Sequence, residues 1–288
     1  MKRNIHLLVI DPQNDFCDLP TNYLPVDAIT GKSQAPALPV AGAHADMQRL
    51  AGLIRAGSAG IANMSVTLDS HHRVDIAHPT FWQARDGSAV APFTPVTASQ
   101  VRDGQYVPRD PAALPRALAY LDELESRRRY TLMVWPVHCE IGTWGHNVHA
   151  DLRAAYNAWE EQHFAVVDVV TKGSNPWTEH YSAVQAEVPD PSDPDTQLNR
   201  RLIEQLDRAD LIVIAGEASS HCVKATTEHV VENLSGRLDR VVLLTDCMSP
   251  VSGFEAQHAA FMADMRGRGV QLATTSGVLP RLLDNGTR

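Results

Sequence analysis

Six short runs of Val, Ile and Leu recur along the chain: 5-IHLLVID-11, 61-IANMSVTLD-69, 164-FAVVDVVTK-172, 211-LIVIAGEA-218, 241-VVLLTDC-247 and 270-VQLATTS-276. Their apolar residues are continuous rather than alternating, the pattern of strands covered on both faces. Helical spacing falls between most of them, over 40–56, 111–126, 196–208, 220–235 and 252–268. That alternation predicts a doubly wound α/β fold, a mainly parallel sheet with helices on both faces (an α/β/α sandwich). A chain of 288 residues is long enough for one such domain. No linker divides it, so residues 1–288 read as a single domain.

Three segments break the rhythm and read as enlarged loops or insertions. Residues 18–39 carry four prolines and no clear period. Residues 79–115 are loop-like and, with the helix after them, form an insertion near 79–130. Residues 173–195 contain NPW and then PDPSDPD. Long irregular segments inside a compact domain are either functional or disordered.

Charge and composition remove several function classes. The formal net charge is −9, and the only basic run is RRR at 127–129, so no nucleic-acid partner is expected. The apolar run at the N-terminus meets Asp11 after about five residues, too short for a secretion signal or a membrane span. Four cysteines, at 17, 139, 222 and 247, include no CxxC pair. Reduced thiols in a cytoplasmic protein are therefore expected, with neither a disulfide framework nor a zinc knuckle.

Open parallel sheets bind ligands beyond the carboxyl ends of their strands. The polar residues at those ends here are Asp11, Asp69 with His71, Lys172 and Cys222. Singly, each has an ordinary reading: a turn former, a surface charge, a buried thiol that fills the core. Together they suit acyl transfer without a catalytic histidine. An ammonium and a helix N-terminus favour the thiolate, while a carboxylate accepts and returns the proton. Asp69 and His71 would also project to one side of an extended segment. With a third ligand, His138 or His78, they would form a divalent-metal site with open positions.

Five segments in this order resemble the nicotinamidase branch of the isochorismatase-like cysteine hydrolases. They are 8-LVIDPQNDF-16, 67-TLDSHH-72 with the later His78, 135-WPVHCEIGTWG-145, 171-TKG-173 and 216-GEASSHCVKAT-226. The resemblance implies a catalytic set of Asp11, Lys172 and Cys222. It implies one divalent metal (zinc, or else iron or manganese) on Asp69, His71 and His138, with His78 a fourth ligand in some members. It also implies a cis peptide between Glu217 and Ala218, an oxyanion hole from the Ala218 and Cys222 amides, and a ring slot of Phe16, Trp135 and Tyr181.

The activity so implied is deamidation of nicotinamide or a similar aromatic carboxamide through a thioester, as in NAD salvage. The partner would be that small amide, and self-association is a further expectation from related folds. Departures from the family are Ser220, where an acidic residue is common, and the long interval from Asp69 to His138. Two other readings stand beside this one. The same thiol chemistry could act on an aliphatic amide, ureido or carbamoyl compound, or the fold could serve as a non-catalytic binding protein.

Overall fold

A computed structural model describes residues 1–288. Six parallel strands form the central sheet: β1 (Ile5–Ile10), β2 (Asn63–Asp69), β3 (Asp168–Lys172), β4 (Leu211–Gly216), β5 (Val241–Leu244) and β6 (Gln271–Ala273). Their order across the sheet is β6-β5-β4-β1-β2-β3. These are the six apolar runs of the sequence. Every residue of β1 and β4 is buried, which is why those runs never alternate.

Seven main helices surround the sheet: α1 (Ala43–Gly57), α2 (Leu114–Arg127), α3 (Ala150–His163), α4 (Arg200–Asp207), α5 (Cys222–Asn233), α6 (Glu255–Gly267) and α7 (Thr275–Gly286). Helices α3 and α7 both pack against α1. The α/β/α architecture is the one expected. Two helices, α3 and α7, lie outside the spans that the spacing of apolar residues picks out. In α3 only Leu152, Ala155 and Trp159 are buried, a stripe too thin to stand out. The last strand is shorter than the run at 270–276, because α7 takes over at Thr275.

The segment after β2 is not bare loop. Trp82–Ala84 pairs antiparallel with Tyr106–Pro108, and Thr94–Val96 with Leu132–Val134. A one-turn helix at Ala98–Arg102 is closed by a capping box between Thr97 and Gln100. Three-residue strands are too short for alternation to reveal them. No helix of the chain is long and apolar enough to cross a membrane.

Two features fix the crevice. The chain leaves β1 for β2 on one side of it, while β4 lies on the other, so the order of strand addition reverses beside β1. At Gly216 the backbone of β4 comes so close to Ile10 that a Cβ would lie 2.0 Å from its carbonyl oxygen, and φ is +125°. Only glycine fits there.

Candidate active site

Register places the strand-end residues together. Adjacent strands β4, β1, β2 and β3 deliver Cys222, Asp11, Asp69 and Lys172 in that order, and Asp69 pairs directly with Lys172. All four are buried. The Lys172 ammonium is the hub. Its Nζ lies 2.9 Å from Asp11 Oδ2, 2.9 Å from Asp69 Oδ1 and 3.6 Å from Cys222 Sγ.

Burial disfavours charge on Lys172, but the two carboxylates outweigh it and hold the ammonium form. Asp69 is drawn the other way: burial opposes ionisation, and His71 and Lys172 overcome it, so its carboxyl titrates well below the usual range. Burial raises Asp11 despite Lys172. Thr67 Oγ1 donates to Asp11 Oδ1 at 2.5 Å and accepts from the Asp11 amide, fixing that carboxylate. Its Oδ2 is ion-paired to Lys172 at 2.9 Å.

Cys222 opens α5. Burial pushes its thiol well above the ordinary range; Lys172 pulls it back, but Asp11 and Asp69 add to the rise. The resting group is therefore the thiol, although lysine and the helix N-terminus alone favour a thiolate. The Glu217–Ala218 peptide just before it is cis. The backbone N–H groups of Ala218 and Cys222 donate to no acceptor in the protein.

The histidines gather on the other side of Asp69. Its Oδ2 lies 3.0 Å from His71 Nε2 and 3.3 Å from His138 Nε2. His71, His78 and His138 are buried, with ligand atoms within 4.8 Å of one another. Two loops are zipped together to achieve this. The His71 N–H donates to Cys139 O, Ile141 N–H to His71 O, and Trp135 N–H to Ala77 O. His138 Nδ1 meets Pro136 O at 2.8 Å, which turns Nε2 toward Asp69. His71 Nδ1 meets Asp75 Oδ2 at 3.1 Å. Such outer partners fix the tautomer of metal-binding imidazoles. His78 Nδ1 is buried without a partner. The three imidazoles could together hold a metal ion.

Of the expected ring slot, Phe16, Trp135 and Tyr181 do line one cavity, together with Ala218 and Cys222. Trp135 Nε1 donates to Tyr181 Oη at 3.0 Å, and Phe16 meets His138 edge-on at 5.5 Å. Leu38 and Glu179 reach the same cavity from two of the enlarged loops. Burial raises the Glu179 carboxyl to about 8. Sequence reasoning passed over Glu179, Thr67, Gln13, Asp75 and His221. Gln13 lay inside the quoted LVIDPQNDF; its side chain clamps the Asp69 backbone, accepting from its N–H at 2.8 Å and donating to its C=O at 2.7 Å. Asp75 follows Asp69 and His71 at short spacing, and that cluster was a usable signal. Glu179 had none, since it sits in an acidic loop among other acids. Cys17, Cys139 and Cys247 are buried and free.

This architecture is the fold of nicotinamidases and pyrazinamidases. An Acinetobacter baumanii nicotinamidase/pyrazinamidase superposes with a TM-score of 0.61 at 18% identity, over 95% of this chain and 97% of that one. The yeast nicotinamidase bound to the inhibitor nicotinaldehyde gives 0.60 at 19% identity, over 94% and 99%. A Pyrococcus horikoshii pyrazinamidase in complex with zinc gives 0.52 at 17%, over 94% and 99%. No protein-family profile matches the sequence, and no curated protein matches it. At these identities the likeness defines the fold, and the chemistry has to be argued from the site itself.

Proposed function

We propose that the chain is a cysteine amidohydrolase that deamidates nicotinamide or a similar aromatic carboxamide to the acid and ammonia. The observation that carries this reading is the buried contact of Lys172 with Asp11, Asp69 and Cys222 at one sheet edge. In the reaction Asp11 takes the Cys222 proton, and Lys172 offsets the charge of the pair. The sulfur attacks the carboxamide carbon, and the amides of Ala218 and Cys222 receive the oxyanion. Asp11 returns the proton to the departing ammonia, and water then cleaves the thioester. Phe16, Trp135 and Tyr181 hold the ring.

Asp69, His71, His138 and His78 are the proposed ligands of one divalent ion, zinc first among candidates because of the imidazole-rich donor set. When bound, the ion supplies a Lewis acid that polarises water. Four free, buried cysteines suit a reducing, cytoplasmic setting. The test is ammonia release from nicotinamide by wild type and Cys222→Ala, with metal content measured on the same preparations. Equal rates in the two proteins would sink the nucleophile assignment. Turnover confined to aliphatic or ureido amides would move the substrate class.

A further inference from the structure

The residue just before the nucleophile has a role that the chemistry above leaves unused. His221 lines the cavity beside Cys222 and Ala218. Its ring sits among Trp135, Tyr181 and Phe254, with centroids 5.0, 5.3 and 4.6 Å away. Burial in those apolar surroundings, helped by Lys224 on the same helix, keeps the imidazole neutral, with a pKa of about 4. A neutral imidazole has one donor nitrogen and one acceptor nitrogen, and its partners decide which is which.

Ser220 makes that decision. Its Oγ accepts the Val251 N–H at 3.1 Å and lies 2.9 Å from His221 Nδ1. The hydroxyl has a single proton, and the one acceptor within its reach is Nδ1. Giving its O–H to Nδ1 satisfies that proton, and it leaves the ring proton on Nε2. The ring's hydrogen bond within the protein is this one, at Nδ1. The cavity thus holds a fixed, uncharged N–H donor set in an aromatic wall. A carboxylate at position 220 would do the opposite: it would draw the ring proton to Nδ1 and favour the imidazolium.

We propose that Ser220 is a positioning residue that locks His221 as an Nε2–H donor, and that this donor selects aromatic carboxamides bearing a hydrogen-bond acceptor on the ring edge that meets it. The proposal rests on the carboxamide-hydrolase reading for its substrate and on the geometry alone for its tautomer. The test compares kcat/KM for the three pyridine-carboxamide isomers and benzamide in wild type and His221→Phe. Any bound metal acts in both proteins, so their ratio isolates the imidazole.

In His221→Phe, selectivity for the best pyridine isomer over benzamide is expected to fall about three- to tenfold, the worth of one hydrogen bond. The loss should appear in KM more than in kcat. Ser220→Ala should lose less, and Ser220→Asp should add a titration near neutral pH to the kcat/KM profile. Nitrogen-15 NMR of the His221 ring reads the tautomer without turnover, and Nε2–H is expected in wild type. A proton on Nδ1 in wild type, or an equal loss on all four amides in His221→Phe, overturns the proposal. If wild type hydrolyses no carboxamide, the proposed function and the selectivity fall together, while the spectrum still decides whether Ser220 sets the ring.

Discussion

The two sides of Asp69 are built differently. On one side Asp11, Lys172 and Cys222 hang from the ends of parallel strands whose mutual register is fixed by continuous ladders. On the other, His71, His78 and His138 come from two irregular loops pinned to each other by a handful of backbone hydrogen bonds. The strand side is dense with buried charge that is stable only while every partner is present. On the loop side burial keeps His78 neutral, while the two carboxylates beside His71 overcome burial and raise its pKa well above the usual value. Removing a charged group from the first should therefore damage chemistry and fold together. Removing one from the second should damage ligand binding and leave the fold standing.

The largest expected effect is on the strand side. Cys222→Ala should lower kcat by about 10⁴-fold or more, as for other covalent nucleophiles, with an unchanged melting temperature because the thiol carries no charge at rest. Next comes Lys172→Met. It strands Asp11 as an uncompensated buried carboxylate and takes one of the two cationic partners from Asp69, and chemical denaturation should show a loss of about 3–5 kcal/mol. A Lys172→Met protein as stable as wild type would erase the distinction drawn here.

A third experiment concerns a loop that carries buried charge of its own. Glu187, in the 173–195 segment, has its carboxyl raised by burial from about 4.5 to about 7. Between those values the folded state holds a proton that the unfolded chain releases, so this group's contribution falls as pH rises through the window. The decline should approach about 3 kcal/mol across it. Glu187→Gln should flatten the curve, as read by urea midpoints at several pH values; an unflattened curve would place the dependence elsewhere.

The smallest effect sharpens the loop side. Asp75→Asn should weaken divalent-metal affinity by about 10- to 100-fold, measured by competition with a chromogenic chelator. Treatment with a chelator should leave the denaturation midpoint of wild type close to that of the untreated protein. A large drop in that midpoint would mean the loops depend on the ion for their fold.

This contrast also explains what could be read from the sequence. The six strands were legible because burial on both faces forces uninterrupted apolar runs, and a run's end marks where its polar residue must sit. Asp11, Asp69, Lys172 and Cys222 were found that way, one per strand, and the sheet order then brought them together. Loop contributions are set by contacts that leave no period. His71, His78 and His138 stood out because histidines are conspicuous. Thr67 was hidden inside a strand, where threonine is ordinary, and Glu179 among the acids of a proline-broken loop. The small paired strands at 82–108 and 94–134 escaped because three residues carry too little pattern.

One carboxylate touches both sides. Asp69 gives Oδ1 to Lys172 and Oδ2 to His71 and His138. A cation arriving on the imidazoles draws on the charge that steadies the ammonium, and the ammonium in turn bears on the thiol. If the histidines take an ion, its occupancy and the reactivity of the sulfur would be thermodynamically linked, and such linkage is reciprocal. An alkylating agent becomes a gauge of the ion: the rate at which it labels Cys222 should shift as the histidines fill, and a labelled protein should hold its ion with altered affinity.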